Sequence, residues 1–164
     1  MLLFFLRHGD ASSDPRYDDV ERPLTHLGMH HAMQVGAFLQ RTGATIEIVL
    51  SSPLKRAVDT AASVCSQLKN QEIVRSDLLV NGSDPQQLFK HLGQLRVASA
   101  LLVGHEPLLS EIISFLICGN RKGEIEMRKC SLALVEVPVP IQKGTGLLKF
   151  LIPVDSAPSS FTQN

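Results

Sequence analysis

Residues 2–6, Leu-Leu-Phe-Phe-Leu, form an unbroken apolar run that stops at Arg7-His8-Gly9. A run without polar alternation is what a parallel strand covered on both faces requires, and α/β proteins place ligands just beyond the carboxyl ends of such strands. The pattern recurs along the chain. Ile46-Glu47-Ile48-Val49-Leu50 leads into Ser51-Ser52-Pro53, and Ala100-Leu101-Leu102-Val103 into Gly104-His105. Helical signals fall between these runs. Thr25 can cap a helix with apolar positions Leu27, Ala32, Val35, Phe38 and Leu39 that ends near Gly43. Ser52 as N-cap, with Pro53 at the first helical position, predicts a second helix to about Leu68. Extended candidates follow at 73–74 and 78–80, then a turn at 81–85 into a helix near 86–92. Pro107 opens a helix toward Gly119, and 132–137 with 146–151 make a late strand pair. Alternating strands and helices predict an α/β fold with a mostly parallel sheet, helices on both faces and an antiparallel edge.

The 164 residues suffice for one domain, expected over 1–152, with a loosely held tail over 153–164 that is poor in apolar residues. Lys and Arg balance Asp and Glu at 16 each, so neither nucleic acid nor an anionic membrane is an expected partner. Cys65, Cys118 and Cys130 are odd in number and lie far apart, which argues against a disulfide framework and against a zinc site. The apolar start is too short for a secretory leader and lacks a basic flank, so the cytoplasm is the expected compartment, and a monomer the expected state.

Strand ends on one rim of an open sheet converge even when far apart in sequence. Arg7, His8, Arg56 and His105 therefore form one expected pocket. Two guanidinium forks suit the oxygens of a phosphoryl group, Gly9 leaves room for close approach, and the helix start at Pro53 adds a partial positive charge. A neutral imidazole can attack phosphorus. His8, directly after its strand, is the candidate nucleophile, and His105 the donor that stabilises the transferring group without a metal. Glu106 is a candidate proton donor, although an acidic residue beside Pro107 equally fits a helix start. Ser52 either caps its helix or turns its hydroxyl to the phosphate. Asp10 and Arg22 are expected to pair across their loop or to line the pocket mouth. His26 and His30 stand one helical turn apart without a third ligand, and read as a solvated face.

Arg7-His8-Gly9, the Arg22-Pro23-Leu24-Thr25 run with Gly28, Ser52-Pro53-Leu54-Lys55-Arg56-Ala57 with Thr60-Ala61, and Gly104-His105-Glu106-Pro107 together resemble the histidine phosphatase superfamily. Within it, the compact length and the strand Gly146–Leu151 resemble the SixA-type phosphohistidine phosphatases. The resemblance implies a three-layer α/β/α sandwich of phosphoglycerate mutase-like type. It also implies a covalent phosphohistidine on His8, a phosphate pocket of Arg7, Arg56 and His105, and no metal or other cofactor. Many members acting on esters carry an acid after the third strand. Here that segment, 78–84, holds only Asp84. A departing imidazole is far less basic than an alkoxide and needs less acid assistance, so phosphohistidine on a phosphorelay-type protein is the expected substrate. A phosphatase for small monoesters, with Glu106 or Asp84 as acid, is the alternative enzyme. A non-catalytic module binding phosphorylated partners is the alternative of another class.

Overall fold

The computed structural model describes residues 1–68 and 72–154. Six strands form one sheet: β1 (Leu2–Arg7), β2 (Ile48–Ser51), β3 (Ile73–Arg75), β4 (Ser99–Gly104), β5 (Leu132–Glu136) and β6 (Leu147–Ile152), in the order β3-β2-β4-β1-β5-β6. The first four strands of that order are parallel, while β5 runs antiparallel to β1 and β6 to β5. Four helices cover it: α1 (His26–Arg41), α2 (Lys55–Cys65), α3 (Pro85–Leu95) and α4 (Leu108–Cys118).

The side-chain alternation of β1 builds both cores at once. Leu3 and Phe5 enter a cluster with Leu88, Leu92, Leu109 and Ile112 of α3 and α4. Phe4 and Leu6 enter a second with Ala32, Val35, Ala57 and Val64 of α1 and α2. The result is the expected three-layer α/β/α sandwich. Phe5 is fully buried, and truncating such a ring costs about 3–5 kcal/mol. The central strands and their exits are thus the most firmly held backbone, and they carry the site.

Local signals set most boundaries. Thr25 Oγ1 accepts from Gly28 N–H at 3.0 Å and starts α1, and Asp84, whose side chain accepts from Gln86 N–H, starts α3 with Pro85 in its first turn. Gly119, with φ of 75°, ends α4. Three expectations need correction. Helix α2 starts at Lys55 with Leu54 in the cap position, not at Pro53 capped by Ser52: the Ser52 oxygen accepts from Leu54 N–H at 3.3 Å, ahead of the first helical residue; α2 also ends at Cys65, short of Leu68. Residues 77–79 form a 3₁₀ turn rather than a strand: a three-residue apolar run carries no period, and Leu79 is buried from the turn. Pro107 occupies the cap position of α4, one residue before the helix. Of the expected tail, Val154 is buried, and 155–164 lie outside the described residues. Among the described residues, no helix is long and apolar enough to cross a membrane.

Candidate active site

Register places the strand exits side by side. Arg7 pairs with Gly104 across β1 and β4, His8 N–H donates to Gly104 O at 3.0 Å, and Ser52 N–H donates to Val103 O at 2.9 Å. The His8 and His105 rings consequently stand with centroids 4.9 Å apart and planes tilted by 54°. Arg7, His8, Ser52, Arg56 and His105 are brought together as expected.

His8 is only 8% exposed. Its Nδ1 lies 2.7 Å from Gly9 O. A carbonyl only accepts, so Nδ1 carries the ring proton and Nε2 presents its lone pair. Burial, opposed by the Gly9 bond and assisted by the nearby His105, Arg56 and Arg7, lowers the His8 pKa to about 3. The imidazole is therefore neutral at pH 7 and nucleophilic at Nε2.

The two arginines are held in similar ways. Arg7 Nη1 donates to Met127 O at 2.8 Å, and Arg56 Nη1 donates to Asp19 O at 2.7 Å, with Arg56 Nη2 3.2 Å from Asp19 Oδ2. Nε of each is buried and has no hydrogen-bond partner, and neither has His105 Nδ1. An unmet buried donor costs about 1–3 kcal/mol. An oxyanion accepting from these groups would recover that cost.

His105 is oriented by Ser52, whose Oγ lies 2.8 Å from Nε2. The Ser52 hydroxyl accepts from Leu54 N–H at 3.3 Å and has its own hydrogen to give to Nε2; in that tautomer Nδ1 carries the ring proton as a donor. Burial lowers the His105 pKa to about 4, assisted by Arg56 and Arg7 and opposed by Asp19. Ser52 thus orients the second histidine. It is not the N-cap of α2, a position that Leu54 takes.

Glu106 lines an open cleft of about 590 Å³ with Arg7, Glu124, Ile125, Glu126 and Met127. Its Oε1 accepts from Ser110 N–H at 3.3 Å, which is the helix-start role, while Ser110 Oγ meets both Glu106 Oε2 and, at 2.8 Å, Ile125 O. Ser110 has one hydroxyl hydrogen for two acceptors. When the Ile125 carbonyl takes it, the Glu106 contact is a hydrogen bond only if the carboxyl is protonated, and burial pushes its pKa up in that direction.

Asp10 and Arg22 do not pair. Asp10 receives Lys129 Nζ at 2.6 Å and Thr25 Oγ1 at 2.9 Å, and these bonds, that to Lys129 foremost, hold its carboxyl below the usual range. Arg22 Nε instead lies 3.2 Å from Asp19 Oδ1, three residues away, a shorter reach than across the loop. Packing requires a glycine at position 9: a Cβ there would lie 2.9 Å from Gly28 O and 3.1 Å from Cys130 Sγ. The Gly9 N–H donates to Thr60 Oγ1 at 3.0 Å, and Thr60 donates to Arg56 O at 2.6 Å, tying the loop after His8 to the helix of Arg56. Asp84 is occupied as the cap of α3 and by Arg121 at 3.6 Å. Sequence reasoning missed Asp19 and Met127 as holders of the arginines; Asp19 left only its charge as a signal, and the Met127 carbonyl left none. Among the described residues, no group of three or more His, Cys, Asp and Glu side chains is placed to hold a metal ion.

Comparison with known proteins adds four findings. Residues 3–81 match the model of the histidine phosphatase superfamily (branch 1). The chain is 35% identical over 125 residues to the phosphohistidine phosphatase SixA of Escherichia coli (strain K12), covering 73% of this chain and 76% of that protein. Among solved structures, the protein histidine phosphatase SixA complexed with tungstate superimposes with a TM-score of 0.83 at 27% identity, covering 94% of this chain and 98% of the other. The alpha-ribazole phosphatase from Shigella flexneri gives a TM-score of 0.74 at 17% identity over 94% and 97% of the two chains, a likeness of fold.

Proposed function

The chain belongs to the histidine phosphatase superfamily, and from that premise we propose that it is a phosphatase working through a covalent phosphohistidine on His8. The observation that carries this reading is the His8 tautomer. Its Nδ1 is committed to Gly9 O, which leaves an Nε2 lone pair beside donors with no other partner. In the first step Nε2 attacks phosphorus in line, the new N–P bond forms, and the bond to the leaving group breaks with its electron pair. Arg7 Nε, Arg56 Nε and His105 Nδ1 take the charge on the phosphoryl oxygens. In the second, water attacks the phosphorus, the N–P bond breaks, and inorganic phosphate leaves His8 neutral again.

The preferred substrate is phosphohistidine on a protein, such as a phosphorelay domain. Similarity to SixA supports it, as does the absence of an acid among residues 78–83. One observation favours small monoesters as a second reading. Glu106 stands in the cleft beside Arg7 and burial raises its pKa, the direction that suits the acid an alkoxide leaving group needs.

Rapid quench with a radiolabelled phosphodonor tests the chemistry: label should appear on His8 as an acid-labile adduct and be absent from His8→Ala. An unlabelled wild type, or unchanged turnover in His8→Ala, overturns the covalent route. Turnover of a phosphohistidine protein against a panel of phosphomonoesters tests the substrate. Ester turnover equal or faster would replace the first reading with the second.

A further inference from the structure

Asp19 lies in the loop between β1 and α1 and has no part in the steps above, yet it touches Arg56 twice. Its backbone oxygen accepts from Nη1 at 2.7 Å and its Oδ2 accepts from Nη2 at 3.2 Å. A guanidinium offers two bidentate edges, the outer end of Nη1 with Nη2 and the side edge of Nε with Nη2. Asp19 occupies the outer end. On the side edge, Nε is buried and without a partner, in an Arg56 side chain only 9% exposed. The loop that delivers Asp19 is pinned at its base by the Ala11–Leu24 bridge, by Ser12 N–H to Pro23 O at 2.8 Å, and by Leu24 N–H to Asp59 Oδ2 at 3.3 Å. Arg22 Nε, 3.2 Å from Asp19 Oδ1, holds the carboxylate from its other side.

We propose that Asp19 is a positioning residue: it fixes the outer end of the Arg56 fork so that the Nε edge is presented to the phosphoryl group. The proposal rests on the phosphate pocket described above. The opposite role, a latch that competes with phosphate for Arg56, would require Asp19 to hold the edge that the phosphoryl group uses.

A double-mutant cycle of Asp19→Ala with Arg56→Lys separates these roles. The readouts are calorimetric affinity for tungstate, a phosphate-shaped oxyanion, and kcat and KM on the best substrate. Asp19→Ala should weaken tungstate about fivefold, as expected for one half-exposed charged hydrogen bond, and lower kcat more than it raises KM. With Arg56→Lys already present, adding Asp19→Ala should change affinity less than about 1.5-fold, because residues acting through one another are not additive. Asp19→Asn keeps an oxygen acceptor for Nη2 and should bind within about twofold of wild type. Equal or tighter tungstate binding by Asp19→Ala, or an effect that survives undiminished in the Arg56→Lys background, overturns the proposal. Wild type that binds tungstate but turns over no substrate would instead sink the phosphatase reading and leave the positioning role standing.

Discussion

Two buried neutral histidines at one site make the protein acid-sensitive in a calculable window. The His8 and His105 pKa values fall from the ordinary 6.5 to about 3 and about 4. A depressed pKa means that the unfolded chain takes up the proton first. Stability is therefore whole above pH 6.5 and drains away as pH falls toward the folded values. At pH 5 both folded values are already below the solution pH, so the loss depends only on the distance from 6.5. At 1.36 kcal/mol per unit that is about 2 kcal/mol for each histidine and about 4 for the pair, a large share of the 5–15 kcal/mol typical of a domain. Asp10, whose pKa is lowered from 3.8, titrates below this window. Glu106 has the opposite sign, because a raised pKa gives stability at low pH that is lost as pH rises; Glu106→Gln removes that offset. Urea unfolding at pH 7.5 and pH 5.0 is the assay. In the Glu106→Gln background the pair should lose about 4 kcal/mol, His8→Gln or His105→Gln should halve the loss, and the double replacement should nearly abolish it. A loss below about 1 kcal/mol, or Gln variants that keep the full slope, would show that these rings are not buried neutral.

Three further outcomes follow from single contacts. Ser52→Ala removes the partner of His105 Nε2, and kcat should fall about tenfold while the melting temperature drops by several degrees, the cost of leaving a buried polar group unmet. Glu106→Gln should cost ester turnover about a hundredfold while phosphohistidine turnover stays within about threefold, measured side by side on both substrates. Gly28→Ala would put a Cβ 2.1 Å from Asp10 O, whereas at Gly93 nothing lies within 4 Å. Thermal melts should show the first destabilised by about 3 kcal/mol and Gly93→Ala unchanged or stabilised by up to about 1 kcal/mol.

The layers and the parallel character of the central sheet were legible because β1, β2 and β4 are apolar without alternation, and a twice-covered parallel sheet makes use of such runs. Residues whose type alone restricts their chemistry were also legible: His8, Arg7, Arg56 and His105 stand where strand ends put them. Boundaries failed where one side chain had two possible partners. Ser52 reads locally as a cap, since a serine before a proline satisfies that pattern, but its hydroxyl is claimed by His105, 53 positions away. Asp10 and Arg22 show the same competition, each finding a nearer partner in Lys129 and Asp19.

What stayed hidden has a common physical form. Each candidate reactive side chain is held at an atom other than the one proposed to act: His8 by Nδ1, His105 by Nε2, Arg7 and Arg56 by Nη1. Three of these holds end on backbone oxygens, those of Gly9, Met127 and Asp19. Every residue carries a carbonyl, so residue identity cannot announce which ones turn into the pocket. The contacts that aim the site are therefore the ones that leave the weakest mark in sequence, and they tolerate side-chain replacement best. Asp19 is the exception. It adds a carboxylate to its carbonyl, so the orientation of Arg56 is the one hold in the set of three that a side-chain replacement reaches directly.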